Sequence, residues 1–476
     1  MPQQPNIILL VMDSVRTANL SCYGYERATT PNIDRLATQG QLFEQAISVG
    51  CWTLPVHASL FTGLYPLNHG LTVSKDALPD HFPTLARRLK TLGYQTACFS
   101  NNPYISEATG LTQGFDTVED IWRSLRPRGA RRTWTSQFLK RVERRGPPMQ
   151  AMLRGVEWLR NARSIILRMR KGRADSGARL TNEKIKAWLT QTRKLDAPFF
   201  VFVNYMECHE RYSPPLPYNR RFMPAHFSPW RVARVGPNKA AILNSSAQRR
   251  AEDLEITRAL YDGALNYLDH RIGELVAFVE GLRILDDTLL VVASDHGDSL
   301  GEHGHLGHRL TLYEQLVRVP LIIRCPARFQ PGMRVSPQVQ LADLYPTFLE
   351  FAGADAAEIE ANGFHSLLTT PDPSVRPFTV AENTAPKSLD NVLWRMMRTD
   401  QYKYIWKSNQ QHELYDLAGD PAETTNLFPT RPDLARGLIE ELEAWERGLA
   451  EKRIATQEAE YDETTLQRLR GLGYVA

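Results

Sequence analysis

The residues best suited to chemistry are one hydroxyl, two acids and an imidazole. In Cys51-Trp-Thr53-Leu-Pro55-Val-His57, Pro55 suits the first turn of a helix, where its missing N–H costs nothing. Thr53 then stands at that helix's N-terminus, where free N–H groups and the helix dipole favour an oxyanion. A hydroxyl held there is placed to attack phosphorus or sulfur. Ser294-Asp295-His296-Gly297 follows an apolar run, and a carboxylate beside an imidazole can bind a divalent ion. Asp13 closes another apolar run, Asn6-Ile-Ile-Leu-Leu-Val-Met. Taken singly, each feature also fits a plain helix start or turn. Taken together, they predict that Asp13, Thr53, Asp295 and His296 serve one ion, which would lower the Thr53 hydroxyl pKa and polarise an ester oxygen.

The elements that must position these groups are strands alternating with helices. Apolar runs at 6–13, Tyr94 to Phe99, Phe199 to Asn204 and Thr288 to Ala293 read as buried strands, and helical patterns cover Asn32 to Gln39 and Pro83 to Leu92. Such alternation predicts an α/β fold with a mostly parallel sheet covered on both faces. Sites in such sheets lie at the carboxyl ends of strands, and Asp13, Asn204 to His209 and Asp295-His296 all fall there. Residues 1–375 read as the catalytic domain, with Gly353 to Val375 as its linker. Residues 376–476 read as a smaller α+β subdomain, with paired strands in Trp394 to Trp406 and a helix from Pro432 to Leu449.

Hydrophobic residues make up 42% and charged residues 23% of 476, an ordinary globular balance. No apolar run is long enough for a transmembrane helix. The apolar stretch at the start is too short for a secretory signal and ends in an acid. Five cysteines without C-x-x-C spacing argue against a disulfide framework or thiolate zinc site and for a reducing compartment. The expected location is the cytoplasm, with a peripheral membrane association open. That option comes from residues 123–173, part of a basic, partly helical insertion expected over about 117–195. The segment holds sixteen lysines and arginines against two glutamates, a net +14 within an overall +4. Its expected partner is an anionic membrane surface or another polyanion, or else the protein's own acids. It carries no specific nucleic-acid motif.

The chain resembles the sulfatases of the alkaline-phosphatase superfamily from end to end. The resemblance rests on Thr30-Pro-Asn-Ile-Asp-Arg-Leu-Ala37, Ala58-Ser-Leu-Phe-Thr-Gly-Leu-Tyr-Pro66, Gly301-Glu-His-Gly304, Leu312-Tyr-Glu314, Val319-Pro-Leu-Ile-Ile323 and His412-Glu-Leu-Tyr-Asp-Leu417 with Glu423-Thr-Thr-Asn-Leu427, all in the family's order. It implies a sulfatase-like fold, an anionic ester substrate and one divalent ion (Ca, Mg, Mn or Zn), a second ion being open. Several positions depart from the pattern. The family's C/S-x-P-x-R, whose first residue becomes formylglycine, is Thr53-x-Pro55-x-His57 here, and threonine cannot be so converted. The paired acids after the first strand are Asp13 and Ser14. The family's two lysines fall at about Asn101 and near Arg309, which implies substrate binding for both. Its substrate-facing histidine is matched by His209, and His308 stands beside Arg309. Acid–base candidates are His57, His209, His303, His305 and His308.

Threonine lacks the route by which a formylglycine hydrate expels sulfate, so water must attack the adduct directly. The expected activity is therefore metal-dependent hydrolysis of phosphate-type esters, mono- or diester, ahead of sulfate esters, through a covalent Thr53 intermediate. A phosphoryl transferase acting on a sugar or lipid hydroxyl and an inactive scaffold are the alternatives.

Overall fold

A computed structural model describes residues 4–125, 175–235, 246–308, 311–355, 359, 363–369, 376–383, 392–450, 452–472 and 474. The Asn6–Met12 strand has every residue from Ile7 onward buried. It is paired in parallel on both sides, with Phe199–Tyr205 and Thr288–Ala293, so a continuous apolar run is what this position demands. Gln95–Ser100 and Thr117–Asp120 continue the parallel set on one side. On the other side Arg318–Arg324 runs antiparallel between Thr288–Ala293 and Gln41–Ile47, within a nine-stranded sheet. Pro320 sits in this central strand, and the ladder to Gln41–Ile47 shifts register between Val319 and Leu321. Proline has no N–H to donate, so a shift at that residue spares the ladder an unmet bond.

Alternation divides the core in two. Ile7, Leu9 and Val11 pack with residues of the helices Thr53–Thr62, Leu85–Thr91 and Leu344–Phe351. Ile8, Leu10 and Met12 pack with Pro31–Gln39, Ala178–Ala187 and the 35-residue helix Ala247–Gly281. Each fully buried aliphatic side chain contributes roughly 1.5–3 kcal/mol, so both helix layers are held firmly against the strands whose ends carry the site. The fold is the α/β arrangement that the alternating pattern implies.

A second sheet is antiparallel, ordered Thr379–Asn383, Trp394–Arg398, Tyr402–Lys407, Glu413–Asp416, and precedes the helix Pro432–Ala450. It joins the larger sheet through Glu382 N donating to Val49 O at 2.9 Å. The stretch read as a basic insertion over about 117–195 is described only at its two ends. Thr117–Asp120 is an edge strand of the main sheet, and Ala178–Ala187 packs on its face. Residues 126–174, nearly all of the basic segment, lie outside the described residues, as does Arg309. Among the described residues no helix is long and apolar enough to cross a membrane.

Candidate active site

Thr53 opens the buried helix Thr53–Thr62, after Trp52 in extended conformation. The strand ends bring Asp13 and Asp295-His296 beside it, because their strands are direct neighbours. The Thr53 hydroxyl lies 3.3 Å from Asp13 Oδ2. Asn102 Nδ2 donates to both, at 2.9 Å to Asp13 Oδ2 and 3.2 Å to Thr53 Oγ1. Ser14, at the place of the family's second acid, turns its hydroxyl onto Asp13 Oδ1 at 2.8 Å and donates its N–H to Asp295 Oδ1 at 3.2 Å.

His296 Nδ1 lies 2.9 Å from the Gly297 carbonyl. A carbonyl only accepts, so the proton is on Nδ1 and the Nε2 lone pair is available. That Nε2 stands 3.5 Å from Asp295 Oδ2 and 3.9 Å from Asp13 Oδ1. The main chain at Gly297 passes so close to Gln315 O that a Cβ would lie 2.0 Å from it. Only glycine allows this approach, which pins His296 from behind.

Whether this set suits a cation is answered by its own polar atoms. Asp295 Oδ2 and His296 Nε2 are fully buried and have no hydrogen-bond partner among the described residues. Asp13, Asp295 and His296 offer ligand atoms within 4.8 Å of one another. Burial and the neighbouring Asp13 charge push the Asp295 carboxyl well above its usual range. Burial would raise Asp13 as well, but His209, His296, His308 and the Asn102 amide outweigh it and hold it at about 2. Two facing carboxylates and an aimed imidazole are costly without a positive charge between them. The donors are oxygen and nitrogen, with no thiolate, so the set fits a divalent ion.

The remaining residues singled out in the sequence are distributed unevenly. His57, one turn after Thr53, is fully buried; its Nδ1 lies 2.9 Å from Thr53 O and 3.7 Å from Asp295 Oδ2. Burial drops its pKa to about 4, so it is neutral at pH 7 and braces the first turn. His209 and His308 meet edge to face with ring centroids 4.8 Å apart, and His308 lies 4.6 Å from His296, which brings both to the site. His308 Nδ1 also approaches Asp298 and Glu210, a second group with ligand atoms within 4.8 Å. His303 instead stacks on Tyr313, with ring centroids 3.8 Å apart.

Asn101 does not reach Thr53. Its amide donates to Thr181 Oγ1 and Asn204 O, both at 2.8 Å, and so ties the strand end to the helix Ala178–Ala187. The amide that reaches Thr53 is that of its neighbour Asn102. The Ser100 hydroxyl bonds Asn102 N and O across a tight turn, and Asn102 Oδ1 accepts from Tyr104 N at 3.0 Å. Successive side chains diverge in such a turn, and no spacing rule reveals which of two asparagines faces inward. Sequence reasoning also missed Tyr474, whose hydroxyl lies 2.6 Å from His209 Nε2.

Known proteins give a consistent frame for this geometry. The family model described as Sulfatase matches residues 5–354, and that described as N-sulphoglucosamine sulphohydrolase, C-terminal, matches 301–447. An arylsulfatase of Clostridium perfringens is 26% identical, over 94% of this chain and 96% of its own length. An N-acetylglucosamine-6-O-sulfatase of Bacteroides thetaiotaomicron is also 26% identical, over 90% and 83%. The solved structure of a phosphonate monoester hydrolase of Agrobacterium radiobacter shares the fold at TM-score 0.70 and 22% identity, over 94% of this chain and 96% of that one. With the model match covering most of its length, the chain belongs to the sulfatase family of the alkaline-phosphatase superfamily and is an ester-bond hydrolase.

Proposed function

We propose that this protein hydrolyses phosphate-type esters, with Thr53 as a covalent nucleophile and Asp13, Asp295, His296 and Thr53 holding one divalent ion. The observation that carries this reading is the hydroxyl of Thr53 at a helix N-terminus, 3.3 Å from Asp13 and 3.2 Å from the Asn102 amide. The ion, when bound, supplies Lewis acidity at the nucleophile and the ester oxygen. Thr53 Oγ forms a bond to phosphorus as the ester oxygen leaves with a proton. Water then attacks phosphorus, and Thr53 leaves as its hydroxyl. Asn102 Nδ2, which donates to Thr53 Oγ1 and Asp13 Oδ2 beside the nucleophile, is the candidate substrate-facing amide. His308 is the proton-handling candidate, with His209 packed against it. His57 and Ser14 orient the main chain and the carboxylates. Arg309, near which the family's second lysine falls, is the further substrate-binding candidate.

The threonine itself is the ground for ranking phosphate over sulfate. A formylglycine hydrate releases sulfate by collapsing to an aldehyde as its second hydroxyl gives up a proton, and threonine carries no second hydroxyl on Cβ to do so. The sulfate reading stays in play because the relatives named above are an arylsulfatase and a sugar sulfatase. The five cysteines, four of them buried, accord with a reducing compartment, and the cytoplasm is the proposed location. The deciding experiment is a turnover panel of aryl phosphate mono- and diesters, phosphonates and sulfates, each with Ca, Mg, Mn and Zn. Phosphate or phosphonate turnover above sulfate turnover is expected. Sulfate turnover alone would refute the ranking, and no turnover of any ester would refute the mechanism.

A further inference from the structure

Residues 452–472 leave the second sheet and return to the catalytic face. Ile454 N donates to Asn68 O at 2.8 Å. Gln457–Glu458 then pairs antiparallel with Asp76–Ala77. The Tyr461 hydroxyl donates to Ser74 O at 2.7 Å, and Asp462 caps the helix Glu463–Gly471 while pairing with Arg123 at 2.7 Å. Tyr474 N turns back to Leu469 O at 2.9 Å. This strap carries the Tyr474 ring to 2% exposure. It lies 4.6 Å from the ring of Tyr104, which stands 5.7 Å from Trp52, the residue preceding Thr53.

The polar end of Tyr474 meets His209. His209 Nδ1 lies 2.8 Å from the Glu210 carbonyl, which only accepts, so that nitrogen carries the proton. Nε2 is then an acceptor, and the phenol donates to it at 2.6 Å. Both ring nitrogens are engaged, which fixes tautomer and ring plane together. The imidazole so held is the one that meets His308 edge to face, with ring centroids 4.8 Å apart, and His308 in turn lies 4.6 Å from His296.

We propose that Tyr474, delivered by the C-terminal strap, is a positioning residue for the reaction at Thr53, holding His209 as its Nδ1-protonated tautomer against the site. The kinetic half of this inference rests on the ester-hydrolase mechanism given above, and the tautomeric half does not. Loss of one neutral hydrogen bond corresponds to about a tenfold change.

The test uses full-length protein labelled with 15N-histidine, as wild type, Tyr474→Phe and His209→Gln, the last to assign the His209 signals. Wild type should show a protonated Nδ1 and an unprotonated Nε2. Tyr474→Phe should show exchange between the two tautomers, kcat down about tenfold on the best panel ester and KM within about twofold. Wild-type His209 protonated at Nε2 would overturn the proposal without any variant. An unchanged tautomer in Tyr474→Phe would overturn it whatever the rate does. A changed tautomer with unchanged kcat would overturn the role in the reaction while leaving the hydrolase mechanism standing. A panel without any turnover sinks that mechanism and the kinetic half together, and the NMR result on His209 still stands or falls by itself.

Discussion

Exchanging Asn102 for alanine removes an amide that touches both Thr53 and Asp13. Two donated bonds go, 2.9 Å to the Asp13 carboxylate and 3.2 Å to the Thr53 hydroxyl. A bond to an ionised group is worth roughly 1.5–3 kcal/mol. If the amide also serves an oxygen of the transferring group, its loss costs about 10²–10³ in kcat, as for other pre-aimed donors. The fold suffers less. Asn102 Oδ1 accepts from Tyr104 N at 3.0 Å, and baring that N–H costs roughly 1–3 kcal/mol, a drop of a few degrees in Tm. The control is Asn101→Ala, which loses bonds of 2.8 Å to Thr181 and to Asn204 O. It should lower Tm by a similar amount and leave kcat within about threefold. Both variants are assayed on the best panel ester at saturating metal, with Tm measured in the same buffer. Wild-type kcat in Asn102→Ala, or a larger kcat loss in Asn101→Ala, would refute the assignment of the inner amide.

Thr53→Ala should abolish turnover with a Tm near wild type. The helix is not capped by a side chain, so the change costs no more than a lost cap, about 1 kcal/mol; residual turnover at the wild-type rate would mean another nucleophile. Thr53→Cys that matures to formylglycine and gains sulfatase activity would reveal a pocket that accepts sulfate. Purified protein should retain one divalent ion per chain by mass spectrometry, and Asp295→Asn with His296→Ala should lose it; an equal metal content in that variant would rule out this centre. Burial would raise the Glu302 carboxyl, but Arg16 at 2.9 Å outweighs it and holds it at about 2, below the ordinary 4.5. A depressed acid stabilises the fold above pH 4.5 and loses that contribution as pH falls toward 2. The advantage of wild type over Glu302→Gln, on the order of 1 kcal/mol after screening, should therefore shrink as pH drops below 4.5 in denaturant melts, and a constant difference would exclude the pairing. Residues 123–173, at net +14, should bind anionic but not neutral vesicles in a salt-sensitive way, and absence of binding at low salt would remove the membrane partner.

The sequence by itself determined the groups whose positions follow from local rules. Pro55 marks a helix start and so puts Thr53 at an N-terminus. Apolar runs too long to alternate imply strands buried on both faces, and their ends put Asp13 and Asp295-His296 on one edge. These inferences need only the period of a strand and the geometry of proline. Tertiary structure decided what depends on direction and on distant segments. Asn101 and Asn102 are indistinguishable in sequence, and the turn fixed by Ser100 sends the first to Thr181 and the second to Thr53. His57 has the spacing of a catalytic group, yet burial makes it neutral and turns Nδ1 to a main-chain carbonyl. Thr117–Asp120 and Ala178–Ala187 belong to the sheet and its cover because of what they pack on, which their basic surroundings conceal. Tyr474 meets His209 across 265 positions of chain. Nothing local to a tyrosine near a C-terminus encodes that contact, because it exists only once the strap has closed over a folded sheet.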